Sequence, residues 1–117
     1  MMDWRFKLVA VAVALAMIGY LFLRSGGDVS SDEAKRLVRD GALLVDVRTP
    51  GEFAAGHIEG AQNIPVQDLE QRVSELGDKE RPIVLYCRSG ARSGRAAAWL
   101  KERGFREVKN LGAMGRW

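Results

Sequence analysis

The sequence predicts an α/β domain, a mainly parallel sheet flanked by helices, preceded by one N-terminal transmembrane helix. Three observations carry this expectation. Residues 42–47 and 83–86 are continuous rather than alternating apolar runs, broken only by Asp46, as in strands of a parallel sheet covered on both faces. Between and after them apolar residues recur at helical spacing. Ahead of both, residues 8–23 form a stretch of sixteen without a charge.

With 117 residues, 47% of them hydrophobic, the chain has room for one small domain and an appendage. The net charge of +3 is spread along the chain, without the concentrated basic face that nucleic-acid binding needs, so no nucleic-acid partner is expected. Cys87 is the only cysteine, which excludes an internal disulfide and a cysteine-cluster metal site. His57 is the only histidine, so no metal is expected.

Taken in order, the chain divides into residues 1–24, a linker at 25–28 and a domain at 29–117. As a helix the uncharged run spans about 24 Å, against ~30 Å for a hydrocarbon core. Snorkelling of Lys7 and Arg24, with Trp4 and Tyr20 at the interfaces, covers the difference, so residues 4–24 are expected to anchor the protein as a single-pass membrane helix. A cleaved signal segment is the alternative, since a charged start and an apolar run suit both. Arg5 and Lys7 favour a cytosolic N-terminus and a domain outside the cytoplasm, and Arg24, Lys35, Arg36 and Arg39 pull the other way. Signal-like segments export the chain behind them, so the outward orientation is preferred.

Ser25-Gly26-Gly27-Asp28 has the composition of a flexible tether. Ser30 caps a helix with Glu33 three residues on, Ala34, Leu37 and Val38 share one face, and Gly41 ends it. The strand at 42–47 comes next. Thr49 then caps a short helix with Pro50 in its first position and Glu52 closing the box. Leu69, Val73 and Leu76 mark a further amphipathic helix, Gly104 closes the one after residue 93, and Val108 opens a last strand.

The chemistry concentrates in Cys87-Arg88-Ser89-Gly90-Ala91-Arg92-Ser93, placed between the strand at 83–86 and the next helix. Ser89, Gly90 and Ala91 are small enough for backbone N–H groups to curl around a common centre. A thiol there lies at a helix N-terminus, within a nest of donors and beside Arg88 and Arg92, all of which favours thiolate. Asp46, at the C-terminal end of its strand, is placed where ligands of open α/β sheets bind. Arg48, Glu52 and His57 read either as an acid/base set or as an ion-pair cluster bracing the turn after the strand. The second is preferred, because an ionised thiolate needs little proton chemistry to transfer sulfur.

Three stretches resemble the single-domain rhodaneses, the thiosulfate sulfurtransferase-like family. They are the cysteine loop, Asp46-Val47-Arg48, and Gly56-His57-Ile58-Glu59-Gly60-Ala61, with Glu59 where many members have proline. Gly112-Ala113-Met114-Gly115-Arg116-Trp117 resembles the family's Gly-Gly-x-x-x-Trp ending, with Ala113 replacing a glycine. The resemblance implies a rhodanese-like domain and a sulfurtransferase in which Cys87 takes sulfur from thiosulfate or a related donor as a persulfide. Cyanide, a thiol or a sulfur-accepting protein partner then receives it, with no cofactor. The loop residues 88–93 bind the donor. Two alternatives stand beside this: a sulfur carrier or redox module with little turnover on small molecules, and a phosphatase or arsenate reductase-like enzyme. The spacing Cys-x4-Arg counts against the second, because cysteine phosphatases use Cys-x5-Arg, and the position one further on is Ser93, which cannot clamp a phosphoryl group.

Overall fold

The structure, a computed structural model, describes the backbone of residues 4–25 and all of residues 27–117, with first-helix side chains described as far as Met17. Residues 1–3 and Gly26 of the expected linker lie outside the described residues, as do the side chains of Tyr20 and Arg24, expected as interfacial anchors.

Four parallel strands form the sheet: β1 (Leu43–Asp46), β2 (Gln62–Asn63), β3 (Ile83–Cys87) and β4 (Val108–Ala113), in the order β2-β1-β3-β4. β1 and β3 lie centrally with Asp46 opposite Tyr86, and their side chains divide by parity. Val45, Ile83, Leu85 and Cys87 face one apolar layer with Leu69, Leu76, Ala96, Ala97, Leu100 and Phe105. Leu44, Val84 and Tyr86 face the other, with Ala34, Ile58, Leu111 and, at its margin, Trp117. Burial on both faces is the reason these strands carry no polar alternation.

The first layer is built by α5 (Ala91–Glu102) and by residues 66–76. Those residues, expected as one helix, wind as a single α-turn, α4 (Leu69–Arg72), between two 3-10 turns at Val66–Asp68 and Val73–Leu76. Leu69 and Leu76 are buried and Val73 packs half-buried against the same layer, while Glu70, Gln71, Ser74 and Glu75 are exposed. The second layer holds α2 (Ser31–Arg39), whose first turn is capped by Ser30 Oγ accepting from the Glu33 N–H at 3.2 Å. Beyond Asp40 the N–H groups of Gly41 and Ala42 donate to Val38 and Leu37 carbonyls, the paired bonds of a Schellman ending. α3 (Pro50–Ala55) has both halves of the capping box between Thr49 and Glu52.

Gly27 and Asp28, expected within a flexible tether, lie against β4. The Asp28 N–H donates to the Asn110 carbonyl at 2.7 Å, and Asp28 Oδ1 accepts from the Asn110 N–H at 2.6 Å. A Cβ at Gly27 would strike the carbonyl oxygens of Asn110 and Leu111, so only glycine allows this approach. Asp28 thereby satisfies polar groups on an edge strand.

α1 (Trp4–Ser25) is helical, as the apolar run predicts. Among the described residues, however, no helix is long and apolar enough to cross a membrane. The expected single-pass transmembrane helix through residues 4–24 is therefore not supported, and the outward orientation loses its premise. The uncharged run of sixteen residues covers about 24 Å of α1, Arg5 and Lys7 occupy its first turns, and the Tyr20 and Arg24 side chains that were to make up the difference lie outside the described residues.

Candidate active site

Cys87 ends β3 and the chain turns at once into α5. The turn is made by Gly90, whose φ of 99° is a left-handed conformation that a side chain disfavours. Gly90 is the N-cap of α5 and supplies no capping side chain, so the N–H groups of the first turn are left to face the loop interior. The Gly90 N–H donates to Cys87 Sγ at 2.9 Å, and Ser93 Oγ donates to it at 3.3 Å. Cys87 is fully buried beneath this loop. Burial pushes its thiol pKa up, but the Ser93 hydroxyl and the N–H groups of Ser93, Gly90 and Ser89 together outweigh burial and hold the thiol below its ordinary range. The depression thus comes foremost from hydrogen bonds, whereas the expectation named the helix N-terminus and the flanking arginines beside the nest of donors.

The two arginines have different settings. Arg88 is exposed and, among the described residues, takes part in no ion pair. Arg92 is half-buried and donates through both terminal nitrogens to Glu52, at 2.7 and 3.0 Å. Glu52 also accepts from the Thr49 N–H and hydroxyl, each at 3.1 Å, so α3 and the cysteine loop share one carboxylate. Arg92 foremost, with Thr49, holds the Glu52 pKa at about 2.

The other expected supporting residues separate into local braces. Asp46 is fully buried on the Tyr86 side of the sheet, opposite to Cys87. Its carboxylate accepts from the Arg48 N–H at 2.9 Å and from the guanidinium at 2.7 to 3.0 Å. Arg48 Nη2 donates further to the Gly56 carbonyl at 2.6 Å. Asp46 therefore does not face the cysteine loop, because its oxygens are committed to Arg48. Asn63 holds the same turn, donating to the carbonyls of Asp46 and Arg48 at 3.0 and 2.9 Å. His57 stacks on Phe53 with centroids 3.7 Å apart, its Nδ1 2.9 Å from the Phe53 carbonyl. Of the set Arg48, Glu52 and His57, only Glu52 reaches the loop. The Ser93 hydroxyl was legible only as part of the loop; that a serine comes directly after the arginine was the available signal.

The sulfur, the donors and Arg88 all lie at the C-terminal end of β3. β1 leads away to β2 on one side and β3 to β4 on the other, so the loop lies beside the point where the strand order reverses, the place where ligands of open α/β sheets bind.

A family model described as "Rhodanese-like domain" matches residues 30–117. The chain is 49% identical over 69 residues to a sulfurtransferase of Allochromatium vinosum, covering 59% of this chain and 64% of that one. It is 36% identical over 83 residues to the thiosulfate sulfurtransferase GlpE of Ectopseudomonas mendocina, covering 71% and 75%. The human single-domain sulfurtransferase superposes with a TM-score of 0.69 at 33% identity, over 76% of this chain and 92% of that chain. The chain thus spans slightly less than two thirds of the Allochromatium relative.

Proposed function

The chain belongs to the rhodanese-like domain family, and on that premise we propose that it is a sulfurtransferase, moving sulfane sulfur from thiosulfate or a related donor to a thiophilic acceptor through a persulfide on Cys87. The observation that carries this reading is the convergence of the Gly90 N–H and the Ser93 hydroxyl on Cys87 Sγ, at 2.9 and 3.3 Å. Names of relatives support sulfur transfer in general.

Cys87 thiolate attacks the outer sulfur of the donor. The new S–S bond forms as the donor's S–S bond breaks, and sulfite leaves with the electron pair. The outer sulfur then lies within the loop, where the N–H groups at the start of α5 and the helix dipole stabilise its negative charge. Arg88 attracts the anionic donor. Arg92, tied to Glu52, keeps the loop in shape and leaves less of its charge for the donor. In the second half an acceptor takes the outer sulfur and Cys87 departs as the thiolate that the same hydrogen bonds favour.

Phosphoryl or arsenate chemistry fits poorly. The arginine that a Cys-x5-Arg loop needs one position later is Ser93, whose hydroxyl serves the sulfur.

The test is intact-protein mass after thiosulfate treatment. One added sulfur atom is expected in the wild type and none in Cys87→Ser, a near-isosteric change that leaves the fold intact. Sulfur transfer that persists in Cys87→Ser would sink the assignment. Steady-state turnover with thiosulfate and cyanide separates an enzyme from a carrier, since a carrier loads sulfur without turning over.

A further inference from the structure

α1 is the largest surface feature that the cysteine loop does not use. From Trp4 to Met17 every residue of this helix is exposed, and its large apolar side chains keep between 55% and 68% of their surface open. Elsewhere among the described residues the large apolar side chains are buried or half-buried. An exposed apolar surface of this extent marks an interaction site, and a helix that is apolar on all sides is one that other elements cover. The domain does not cover residues 4–17, so their partner comes from outside the single chain.

The order of large and small residues along α1 narrows the choice. Trp4, Leu8, Val11 and Leu15 follow one another at steps of four, three and four, and the sequence continues the series at Ile18 and Phe22. That spacing is the seam of a coiled coil, sustained over most of the helix. In heptad lettering Leu8 and Leu15 take position a, Val11 and Ile18 take position d, and the small Ala12 and Ala14 flank them at e and g. Leucine at a with β-branched residues at d favours three or four strands over two. At ~60–120 Å² for each aliphatic side chain of the seam, two adjacent helices bury on the order of 1,000 Å² together, the size of a specific interface. Charge sets the direction. Arg5 and Lys7 stand near the free end of α1, whereas Arg24 closes its sequence and α5, which α1 contacts, carries Lys101 in its last turn. Antiparallel helices would press Arg5 and Lys7 of one copy against this second cationic region. Parallel helices leave them at the open end, where counterions screen them.

We propose that α1 is an oligomerisation helix whose partners are further copies of this chain, packed as a parallel bundle of more than two strands through Leu8, Val11, Leu15 and Ile18. Gly27 and Asp28 are fastened to β4, so the chain passes from the helix to the domain within a few residues. The bundle therefore gathers the domains, each with its own cysteine loop, at one end. The inference is independent of the sulfur chemistry, since none of these residues belongs to the site.

Two measurements on the full chain test this. In the first, single cysteines are placed in α1 of Cys87→Ser and oxidised. Leu8→Cys should cross-link to itself, because parallel helices bring identical seam positions together, and Val13→Cys, on the opposite face of the helix, should cross-link at least about tenfold more slowly. Cross-linking of Leu8→Cys only when it is mixed with Ile18→Cys would reveal antiparallel helices and overturn the proposal. The second is sedimentation equilibrium, for which three or four copies are expected. Val11→Lys puts a charge into the seam and should raise the midpoint concentration of assembly at least about a hundredfold. Val13→Lys should change it less than about threefold, since that position faces away from the seam. Equal effects of the two substitutions would mean unspecific apolar clustering, and a wild type that sediments as monomer or dimer would equally sink the idea. Both measurements are repeated with phosphatidylcholine vesicles. Uptake of α1 into the vesicles as a single helix, with no Leu8→Cys cross-link, would make lipid its cover and overturn the proposal.

Discussion

Replacing Ser93 with alanine removes the one side-chain hydroxyl that, among the described residues, reaches the Cys87 sulfur, at 3.3 Å. The hydroxyl also approaches the Gly90 carbonyl at 3.2 Å, but that carbonyl accepts from the Gly94 N–H at 2.9 Å, so Ser93→Ala orphans no acceptor. The fold is expected to persist. A hydrogen bond to a charged group is worth roughly 1.5–3 kcal/mol, and a sulfur acceptor at this distance belongs at the lower end. About 1.5 kcal/mol corresponds to roughly a tenfold fall in the thiolate-to-thiol ratio at any pH below the midpoint. The N–H donors of residue 93, Gly90 and Ser89 and the burial of Cys87 remain, so the thiol moves up towards its ordinary range. The assay is the rate of iodoacetamide alkylation against pH, with thiolate absorbance as a second measure. A pH profile that does not move, or moves to lower pH, refutes the assignment of the depression to Ser93. A stability consequence shares the sign. The folded state favours the thiolate, so this contribution is fully present above the unfolded thiol pKa and is lost as pH falls through the depressed folded value. Chemical denaturation of the wild type should therefore show more pH dependence across that window than Ser93→Ala.

Arg48→Ala leaves the fully buried Asp46 carboxylate without its partner and should cost about 3–5 kcal/mol by urea unfolding; a loss below about 1 kcal/mol would mean that the pair does not brace this turn. Glu52→Gln should lower sulfur transfer several-fold with little change in Tm, because the Arg92–Glu52 pair is partly exposed. For the wild type the Glu52 carboxylate ionises at about 2 in place of 4.5, so the pair is fully formed above pH 4.5 and is lost only as pH falls through about 2; an activity loss centred near pH 4.5 that Glu52→Gln abolishes would contradict this. Inserting one glycine between Ala91 and Arg92 converts Cys-x4-Arg to Cys-x5-Arg and displaces Arg92 from Glu52. Thiosulfate turnover should fall at least tenfold, about 1.4 kcal/mol of transition-state stabilisation, while phosphate or arsenate inhibits more strongly. Unchanged turnover in a folded variant would remove loop length as the discriminator.

What was legible in the sequence is what short-range physics decides. The runs at 42–47 and 83–86 suit strands covered on both faces, and they form β1 and β3. Ser30, Thr49 and Gly41 marked helix ends by hydrogen bonds that close within a few residues. The cysteine loop was legible for the same reason: Gly90 and Ser93 lie three and six residues from the sulfur they serve. Other features waited for the tertiary structure. Glu52 finds Arg92 across forty positions of sequence. Asp46 sits at the expected strand end, yet the side it faces depends on how β1 pairs with β3, and that pairing turned it to Arg48 and Tyr86, away from Cys87. Gly27 and Asp28 have the composition of a tether and lie on β4 because a strand edge elsewhere in the chain offers partners. The cavity lined by Glu70 of α4 and by Arg92, Arg95 and Trp99 of α5 likewise exists only because distant segments lie side by side. Local patterns report the conformation of a segment, because the backbone closes its bonds nearby. Which side chains meet is set by packing, and packing sums over distant parts of the chain.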